Sequence, residues 1–276
     1  MTINCNGNLI DLSAPKVMGI LNLTPDSFYD GGSYKDEKSI LLQVDKMLKD
    51  GATFIDVGAY SSRPNATNIS VEEEISRIVP IVKLLIKEFP SILLSIDTFR
   101  SAVAKACLEN GATLINDISA GSLDDEMMSV IAAYKVPYIM MHMRGTPSTM
   151  QQLTEYTDVT LDIKHYFAEK IAKARAKGII DIIIDPGFGF AKTTAQNFTL
   201  LQNLDLFKSI DVPILAGLSR KSMIYKTLDT TAANALNGTT ALNTIALTKG
   251  AGILRVHDVK EAVECIALTN ALKFNE

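Results

Sequence analysis

Three polar residues that could hold a flat heterocycle stand at the ends of short apolar runs. Asp97, Asn116 and Asp185 each close a segment rich in isoleucine and leucine. Carboxylates accept hydrogen bonds and a carboxamide both accepts and donates them, so together these groups can match the edge of a polar ring. Asp185 is followed at once by Pro-Gly-Phe-Gly-Phe190, a turn whose glycines adopt backbone conformations that other residues adopt reluctantly.

A second group of side chains suits an anion such as phosphate. The group comprises Arg63, Lys221, Arg255 and His257. Arginine in particular binds phosphate through two parallel hydrogen bonds. Arg255 and His257 alternate along one predicted strand, so both side chains would face the same way. Ser222 is expected to begin a helix whose free N–H groups also favour an anion.

Other polar residues and motifs are interpreted as structural. A single aspartate at a strand end, such as Asp56, often caps a helix or forms a salt bridge. His142 is expected to be structural and His165 to lie on a helix surface, and the chain's three histidines have no zinc-ligand spacing. Taken alone, His257 would also be structural. Residues 187–193 mimic a phosphate-binding loop, but alanine stands where glycine should precede the lysine, so no Walker motif is predicted.

These residues need a scaffold that brings many strand ends together. Four segments share one pattern, in which glycine ends a helix and a short β-branched run then closes on a polar residue. They are residues 49–56, 109–116, 176–185 and 249–257. Four further strands, without the leading glycine, are predicted at residues 17–21, 92–96, 136–141 and 212–216. Helical patterns fill the gaps, for example at residues 39–49, 71–88, 101–109 and 158–177.

Repeated alternation of strand and helix predicts an α/β fold, a single (β/α)8 TIM barrel with eight parallel strands. A doubly wound sheet fits less well, because no strand is followed by Gly-x-Gly-x-x-Gly. No linker divides the chain, so residues 1–276 are expected to form one domain. Residues 22–36 and 59–70 are loops rich in Gly, Ser and Pro, which predict a mobile lid, with ordinary surface loops as the alternative.

The composition of the chain argues against several classes of function. Its 276 residues carry a formal net charge of −4, whereas nucleic-acid binding would need a basic face. The three cysteines are far apart in the sequence and are expected to be reduced thiols. Residues 78–96, the most apolar stretch, are interrupted by prolines and charges, so no membrane span is expected. The N-terminus lacks a signal-peptide pattern, and we expect a cytoplasmic protein.

Eight motifs, spread over about residues 8–270, carry a resemblance to a known family. They are Met-Gly-Ile-Leu-Asn-Leu-Thr-Pro-Asp-Ser-Phe-Tyr-Asp-Gly-Gly at 18–32, Ser-Ser-Arg-Pro at 61–64, Ser-Ile-Asp-Thr at 95–98, Ile-Asn-Asp-Ile at 115–118, Met-His-Met at 141–143, Asp-Pro-Gly-Phe-Gly-Phe at 185–190, Ser-Arg-Lys-Ser at 219–222 and Arg-Val-His-Asp-Val at 255–259. In this order they resemble the motifs of the dihydropteroate synthases, and an array of eight is highly specific.

The resemblance implies an enzyme of folate biosynthesis. Members of the family condense 6-hydroxymethyl-7,8-dihydropterin diphosphate with p-aminobenzoate, and the products are 7,8-dihydropteroate and pyrophosphate. They use Mg²⁺, are targets of sulfonamides and are usually homodimers with a (β/α)8 barrel. The diphosphate is thought to leave in an SN1-like step before the arylamine attacks. Because that amine is weakly basic, no strong protein base is needed.

The resemblance also implies a role for each matching residue. Catalytic roles fall to Lys221, Arg255 and Asp97. The pterin-binding set is Asp97, Asn116, Asp185, Lys221 and Phe190. The diphosphate set is Asn22, Arg63, Arg255 and His257, with Asn22 also near Mg²⁺. The p-aminobenzoate set is Phe28, Ser62, Pro64 and Ser222. Asp185 suits the amino group and adjacent ring N–H of a pterin, which together resemble a guanidine.

The chain departs from the family at several positions. Ala59-Tyr60 stands where Gly-Glu is common, Asn65 where glycine often follows the proline, and Tyr225 where many relatives have glycine. Tyr60 puts in doubt the local contacts of the missing glutamate. Three alternatives stay open: a pterin-binding paralogue without catalysis, a methyltetrahydrofolate:corrinoid methyltransferase, and an aldolase that uses Lys221 as a Schiff-base lysine.

Overall fold

Eight parallel strands form a closed barrel in the computed structural model, which describes residues 1–23, 34–60 and 69–273. The strands of the described part are β1 (Thr2–Cys5), β2 (Asn8–Asp11), β3 (Lys16–Asn22), β4 (Phe54–Gly58), β5 (Leu94–Asp97), β6 (Leu114–Asp117), β7 (Tyr138–Met141), β8 (Ile182–Asp185), β9 (Leu215–Ala216) and β10 (Ile253–Val256). Strands β3 to β8 pair in chain order, and β10 pairs with both β3 and β9. A parallel bridge between Ile184 and Ile214 closes the ring, which confirms the predicted barrel.

Helices follow the barrel strands. Those described are α1 (Tyr34–Lys49), α2 (Val71–Glu88), α3 (Ser101–Leu108), α4 (Met127–Tyr134), α5 (Val159–Ala176), α6 (Thr194–Gln202), α7 (Ser222–Thr227), α8 (Leu236–Thr248) and α9 (Val259–Lys273). The four helical patterns quoted from the sequence are confirmed, but α1 begins at Tyr34, inside the stretch predicted as loop. Its first turn is polar and so carries no apolar periodicity. Within the described ranges, none of the helices is long and apolar enough to cross a membrane.

Glycine ends four of these helices, as the repeat predicts. Gly51, Gly111, Gly178 and Gly250 have φ values between +87° and +103°. A residue with a side chain is strained in this left-handed region. At Gly250 a Cβ would also lie 2.1 Å from Cε of Lys208, so the end of that flexible side chain would have to move. The glycines therefore turn the chain from each helix into the next strand.

An antiparallel hairpin of β1 and β2, which the sequence analysis did not predict, lies at the amino-terminal end of the barrel. Ile3 and Cys5 of β1 are buried in one apolar cluster with the first inward residues of the barrel strands. The barrel members of that cluster are Met18, Phe54, Leu114, Ile139, Ile183, Leu215 and Ile253. The hairpin therefore seals the amino-terminal end of the barrel with apolar side chains.

Strand β9 is shorter than the predicted 212–216 segment. Only Leu215 and Ala216 form the strand, because Pro213 has no N–H to donate to a neighbour. The carbonyl of Pro213 still accepts a hydrogen bond from the N–H of Ile184 at 3.0 Å. This contact joins β9 to β8 and completes the ring.

Candidate active site

A guanidinium inside the barrel connects the ends of several strands. Nε of Arg255, on β10, lies 2.6 Å from Oδ2 of Asp56 on β4, and Nη2 lies 2.7 Å from Oδ2 of Asp97 on β5. Asn116 on β6 donates from Nδ2 to the same Asp56 oxygen at 3.0 Å. Of the two structural roles considered for Asp56, a helix cap or a salt bridge, the structure shows the salt bridge, and the partner is the predicted site residue Arg255. Its partner lies 199 residues away in the sequence.

Burial and mutual attraction set the charges of this network. Burial raises the pKa of Asp97 to about 7, although the Arg255 cation opposes the shift. Burial disfavours the Arg255 cation, but Asp56 and Asp97 outweigh that cost and raise its pKa. Arg255 therefore stays charged, while Asp97 titrates near neutrality. The side chains of Arg255 and Asp97 remain 19% and 20% exposed. A ligand in the mouth of the barrel, the opening at the carboxyl-terminal ends of its strands, can therefore reach both.

Asp185 and Lys221 occupy one space at the opposite side of the mouth. Oδ1 of Asp185 accepts a hydrogen bond from the N–H of Gly187 at 2.8 Å. A Cβ on Gly217 would lie 3.6 Å from Oδ2 of Asp185 and 3.8 Å from Nζ of Lys221. Both groups therefore lie next to Gly217, which follows β9. The sequence analysis did not single out Gly217.

The Lys221 ammonium also contacts the loop after β8. It donates a hydrogen bond to the carbonyl oxygen of Phe188 and lies 4.9 Å from the ring centroid of Phe190. Burial lowers the pKa of Lys221 to about 8, and the Asp185 carboxylate opposes that shift. Burial likewise raises the pKa of Asp185, which the Lys221 cation opposes. Each charge thus opposes the effect of burial on the pKa of its partner.

The turn after β9 is tied to the end of β10. Nδ1 of His257 lies 2.9 Å from Oγ of Ser219, and the His257 ring is exposed at the rim. Arg220 binds both carboxylate oxygens of Asp258, at 2.9 and 2.8 Å, so this arginine is structural. Ser222 begins α7, as predicted, and is half-buried. The turn therefore places Lys221 and Ser222 next to the strand that carries Arg255.

The remaining predicted residues divide into two groups. Asn22 ends β3 and is half-buried, on the same strand face as Met18, which lies inside the barrel. Four predicted site residues lie outside the described residues, namely Phe28, Ser62, Arg63 and Pro64. The structure thus brings together Asp97, Asn116, Asp185, Phe190, Lys221 and Arg255, with Asn22, Ser222 and His257 at neighbouring strand and helix ends.

Two basic or imidazole side chains near strand ends, and a third in the middle of a helix, turn away from the mouth. Arg144 stacks on Tyr156, with its guanidinium carbon 3.8 Å from the ring centroid. Its Nη2 lies 3.5 Å from Oδ2 of Asp162 on α5. His142 is 2% exposed and packs edge to face on Tyr166. His165 is exposed in the middle of α5. None of these three side chains is placed to meet a ligand inside the barrel.

Tyr60, the residue that departs from the family pattern, sits in an aromatic and charged cluster. Its ring meets that of Phe99 edge to face at 5.1 Å, and the Arg100 guanidinium lies 5.1 Å from the Tyr60 centroid. Arg100 in turn donates to buried Glu74 at 2.8 Å and to the carbonyl of Ile69 at 2.7 Å. Tyr60 is therefore fixed by cation–π and aromatic contacts.

A comparison with known families and proteins gives one consistent result. Residues 18–257 match the family described as pterin binding enzyme. Over 273 residues the chain is 41% identical to the dihydropteroate synthase of Escherichia coli (strain K12), covering 98% of this chain and 96% of that protein. The match thus includes every strand of the barrel.

Solved structures agree with that result. A dihydropteroate synthase of Yersinia pestis in a sulfonamide drug complex is 40% identical, with a TM-score of 0.92 and 99% of each chain covered. A dihydropteroate synthase of Xanthomonas albilineans in complex with 7,8-dihydropteroate is 33% identical, with a TM-score of 0.88, and the match covers 99% of each chain. The corrinoid methyltransferase and the aldolase are not favoured by these likenesses.

Proposed function

We propose that this chain, which belongs to the dihydropteroate synthase family, carries out its reaction at the carboxyl-terminal mouth of the barrel. The chain is a transferase of folate biosynthesis, which joins 6-hydroxymethyl-7,8-dihydropterin diphosphate to p-aminobenzoate and releases pyrophosphate. One observation carries the placement: Asp185 beside Lys221 faces the same mouth as Asp97 bound to Arg255. This gives anionic and cationic groups for a pterin and its diphosphate.

The pterin is held by Asp185, Lys221, Asn116 and Asp97. Asp185 accepts hydrogen bonds from the pterin amino group and the adjacent ring N–H, a pairing that fixes orientation as well as affinity. Lys221 donates to the pterin acceptor atoms. Support comes from the burial of Asp185 and Asn116, each 4% exposed, because hydrogen bonds are stronger where water is excluded.

The diphosphate is held by Arg255, His257, Arg63 and Asn22. The bonds of Arg255 to Asp56 and Asp97 use Nε and Nη2, and a guanidinium has five N–H groups in all. Those left can donate to an anion above the mouth. The exposed ring of His257 at the rim supports the same direction of approach.

The residues present fit a role for Mg²⁺ that depends on the substrate. Within the part of the chain that the structure describes, no three His, Cys, Asp or Glu residues form a metal-binding group. Mg²⁺ keeps several waters and commonly binds through one or two protein ligands plus substrate phosphates. Asn22 offers one such oxygen at the end of β3. Bound there with the diphosphate, Mg²⁺ would neutralise charge on the leaving group.

The chemical step follows from these charges. The C–O bond at the pterin methylene breaks, and its electron pair leaves with the diphosphate, which Arg255 and His257 stabilise. The electron-rich pterin spreads the positive charge left on the methylene carbon. The nitrogen of p-aminobenzoate then forms the new C–N bond and loses a proton to water. No dedicated protein base is needed, because the arylamine is weakly basic.

The p-aminobenzoate is held next to the loop after β8. Phe190, which also belongs to the pterin-binding set, packs on its aromatic ring, Lys221 flanks it, and Ser222 lies near its carboxylate. The 4.9 Å contact between Lys221 and the Phe190 ring supports this arrangement, since it places both beside one pocket. Phe28, Ser62 and Pro64, which lie outside the described residues, complete the pocket. Sulfonamides would compete there as mimics of p-aminobenzoate.

The proposal also includes a homodimer in the cytoplasm. Leu268 and Leu272, one turn apart on α9, are 72% and 68% exposed, which supports an apolar surface for a second copy. The free cysteines, all buried, are typical of a reducing compartment. Sedimentation velocity at micromolar concentration should give the mass of two chains. A single-chain mass under assay conditions would contradict the dimer.

The experiment that tests the reaction measures two products together. The chain is mixed with the pterin diphosphate and Mg²⁺, with and without p-aminobenzoate, and pyrophosphate and dihydropteroate are quantified. We expect equal amounts of both products, and dihydropteroate only when p-aminobenzoate is present. Binding of the pterin diphosphate without turnover, where a known synthase is active, would indicate a pterin-binding paralogue instead.

A further inference from the structure

A buried ammonium lies behind the loop that follows β8. Lys192 is only 4% exposed. Its Nζ lies 2.9 Å from the carbonyl oxygen of Gly187, 3.0 Å from that of Phe190 and 3.0 Å from Nδ1 of His142. An ammonium has three N–H donors and no acceptor, so these three acceptors use all of its capacity. Lys192 therefore faces into the protein and cannot reach a ligand in the mouth.

The loop that Lys192 holds carries two of the proposed ligand-binding residues. Asp185 begins it and Phe190 lies near its end. Between them the chain makes a tight turn, in which the N–H of Phe190 donates to the carbonyl of Gly187 at 3.1 Å. The backbone at Gly187 has φ +72°, and a Cβ there would lie 2.1 Å from the carbonyl oxygen of His142. The loop is thus pressed against the end of β7.

Lys192 anchors this loop at one point, and Asn197 on α6 anchors it at a second. Oδ1 of Asn197, on α6, accepts a hydrogen bond from the N–H of Gly189 at 2.7 Å. Removal of the ammonium would leave two backbone carbonyls near Lys192 without their charged donor. Buried polar groups that lose a partner cost free energy, so the loop would move to find water. Asp185 and Phe190 would move with it.

The charge of Lys192 also affects the ionisation of the side chains around it. The groups that face it are His142, Arg144, Asp185 and Lys221. Burial lowers the pKa of Lys192 well below its ordinary value, and the Asp185 carboxylate opposes that shift. Burial is the main reason that the pKa of His142 is held well below its ordinary value, and the Lys192 cation adds to it. His142 is therefore neutral and accepts through Nδ1, with its proton on Nε2. Lys192 is also among the cations that stabilise the ionised Asp185.

We propose that Lys192 is a positioning residue for the pterin, because its buried ammonium binds two carbonyls of the loop that carries Asp185 and Phe190 and ties that loop to His142. The proposal rests on the proposed role of Asp185 in pterin binding. It also explains why a lysine stands at the position of a phosphate-binding loop in a motif that lacks the required glycine: the lysine binds the loop itself.

The test replaces Lys192 by methionine, which keeps the length of the side chain and removes its donors. We expect KM for the pterin diphosphate to rise about tenfold, since hydrogen bonds from a charged donor are lost. Lys170→Met is the matched control, because Lys170 also donates to a loop carbonyl, that of Ala120 at 2.9 Å, on the loop after β6. That variant should leave KM within twofold.

Two further variants separate positioning from simple packing or charge. Lys192→Arg keeps the charge, but a planar guanidinium cannot direct its donors at the same three acceptors, so KM should stay raised. Rescue by arginine would overturn the positioning role. His142→Phe removes one acceptor and keeps a ring, and it should shift KM in the same direction by a smaller factor. If Lys192→Met does not fold, KM for the pterin diphosphate in His142→Phe still tests the positioning role.

The outcomes distinguish this inference from the proposed function. If the wild-type chain makes no dihydropteroate, the proposed function fails. If the wild type is active and Asp185→Asn loses pterin affinity while folded Lys192→Met keeps a normal KM, only the positioning role is overturned. If Lys192→Met also needs a higher pH for activity, as expected when Asp185 loses a stabilising cation, the electrostatic part is supported.

Discussion

The two ends of the barrel use the same strands for opposite purposes. At the amino-terminal end the inward residues are apolar, with Phe54 on β4 and Ile253 on β10 packed against the β1–β2 hairpin. Two residues further along the same strands, the inward residues are Asp56 and Arg255, which form a salt bridge. Side chains of a strand alternate between its two faces, so successive inward residues are two positions apart. The apolar cluster packed on the hairpin, which forms a plug, is thus followed directly by the charged residues of the mouth.

This difference teaches how the barrel separates stability from function. The apolar end buries side chains without a polar group to satisfy, and it contributes through the hydrophobic effect. The charged end holds carboxylates, an ammonium and a guanidinium in a partly buried space, which costs free energy unless each charge has a partner. Changes at the mouth should therefore affect catalysis most, and changes at the other end should affect unfolding most.

Replacement of Arg255 by methionine should have the largest effect, on turnover. The mouth would lose the cation that stabilises the leaving diphosphate, and activity should fall by about 10³-fold, the order found for a single electrostatic stabiliser. Dihydropteroate formation under saturating substrates measures this. Arg144→Met is the matched control, since Arg144 packs on Tyr156 outside the mouth, and it should remain within twofold. Comparable losses in both would contradict the placement.

Replacement of Phe54 by alanine should have the largest effect on stability. Phe54 is fully buried in the plug, and loss of such a side chain costs about 3–5 kcal/mol of unfolding free energy. Urea unfolding measures this, while turnover per folded molecule should stay within twofold. Leu9→Ala, at a residue 72% exposed in the hairpin, should cost under about 0.5 kcal/mol. A large loss of turnover in folded Phe54→Ala would contradict the claim that the amino-terminal end of the barrel contributes to stability and not to catalysis.

Two aspartates at opposite ends of β8 give a matched pair. Asp185→Asn should raise KM for the pterin diphosphate by about 100-fold, because a charge-assisted pairing is lost. Asp181 precedes β8 and accepts a hydrogen bond from the N–H of Asn4 at 3.1 Å. Asp181→Asn should leave KM unchanged. If both variants bind the pterin diphosphate normally, Asp185 does not bind the pterin.

The pH dependence should be narrow and should come from the mouth. Asp97, whose pKa burial raises to about 7, loses its accepting carboxylate as the pH falls below that value. Lys221, whose pKa burial lowers to about 8, loses its donating proton as the pH rises above that value. kcat/KM for the pterin diphosphate should therefore peak between these values and fall by up to about tenfold per pH unit on either side. A flat profile from pH 6 to 9 would contradict both assignments.

The barrel could be predicted from the sequence because its repeat is local. In four of the repeats, glycine at the helix end, a β-branched run and a polar residue stand within about ten positions of one another, as at Gly111 and Asn116. The hairpin could not, because β1 and β2 are only four residues each, and its buried residues in these strands are Ile3 and Cys5, too few for a pattern. Their role depends on packing against strands far along the chain.

The site was predictable in its members but not in its contacts. Asp97, Asn116 and Asp185 could be identified because they end strands, and parallel strand ends converge. The bond between Asp56 and Arg255 joins residues 199 positions apart, and no local pattern encodes it. The inward direction of Lys192 and the contacts of Tyr60 depend in the same way on side-chain packing, which spacing alone does not determine.

The most direct measurement is hydrogen exchange of the wild-type chain with and without the pterin diphosphate, read by mass spectrometry along the whole sequence. If the mouth is the active site, binding should slow exchange at residues 186–192 and 217–222 and leave the β1–β2 hairpin unchanged. Protection of the hairpin, with no change at the loops after β8 and β9, would place the ligand at the opposite end of the barrel and contradict the assignment.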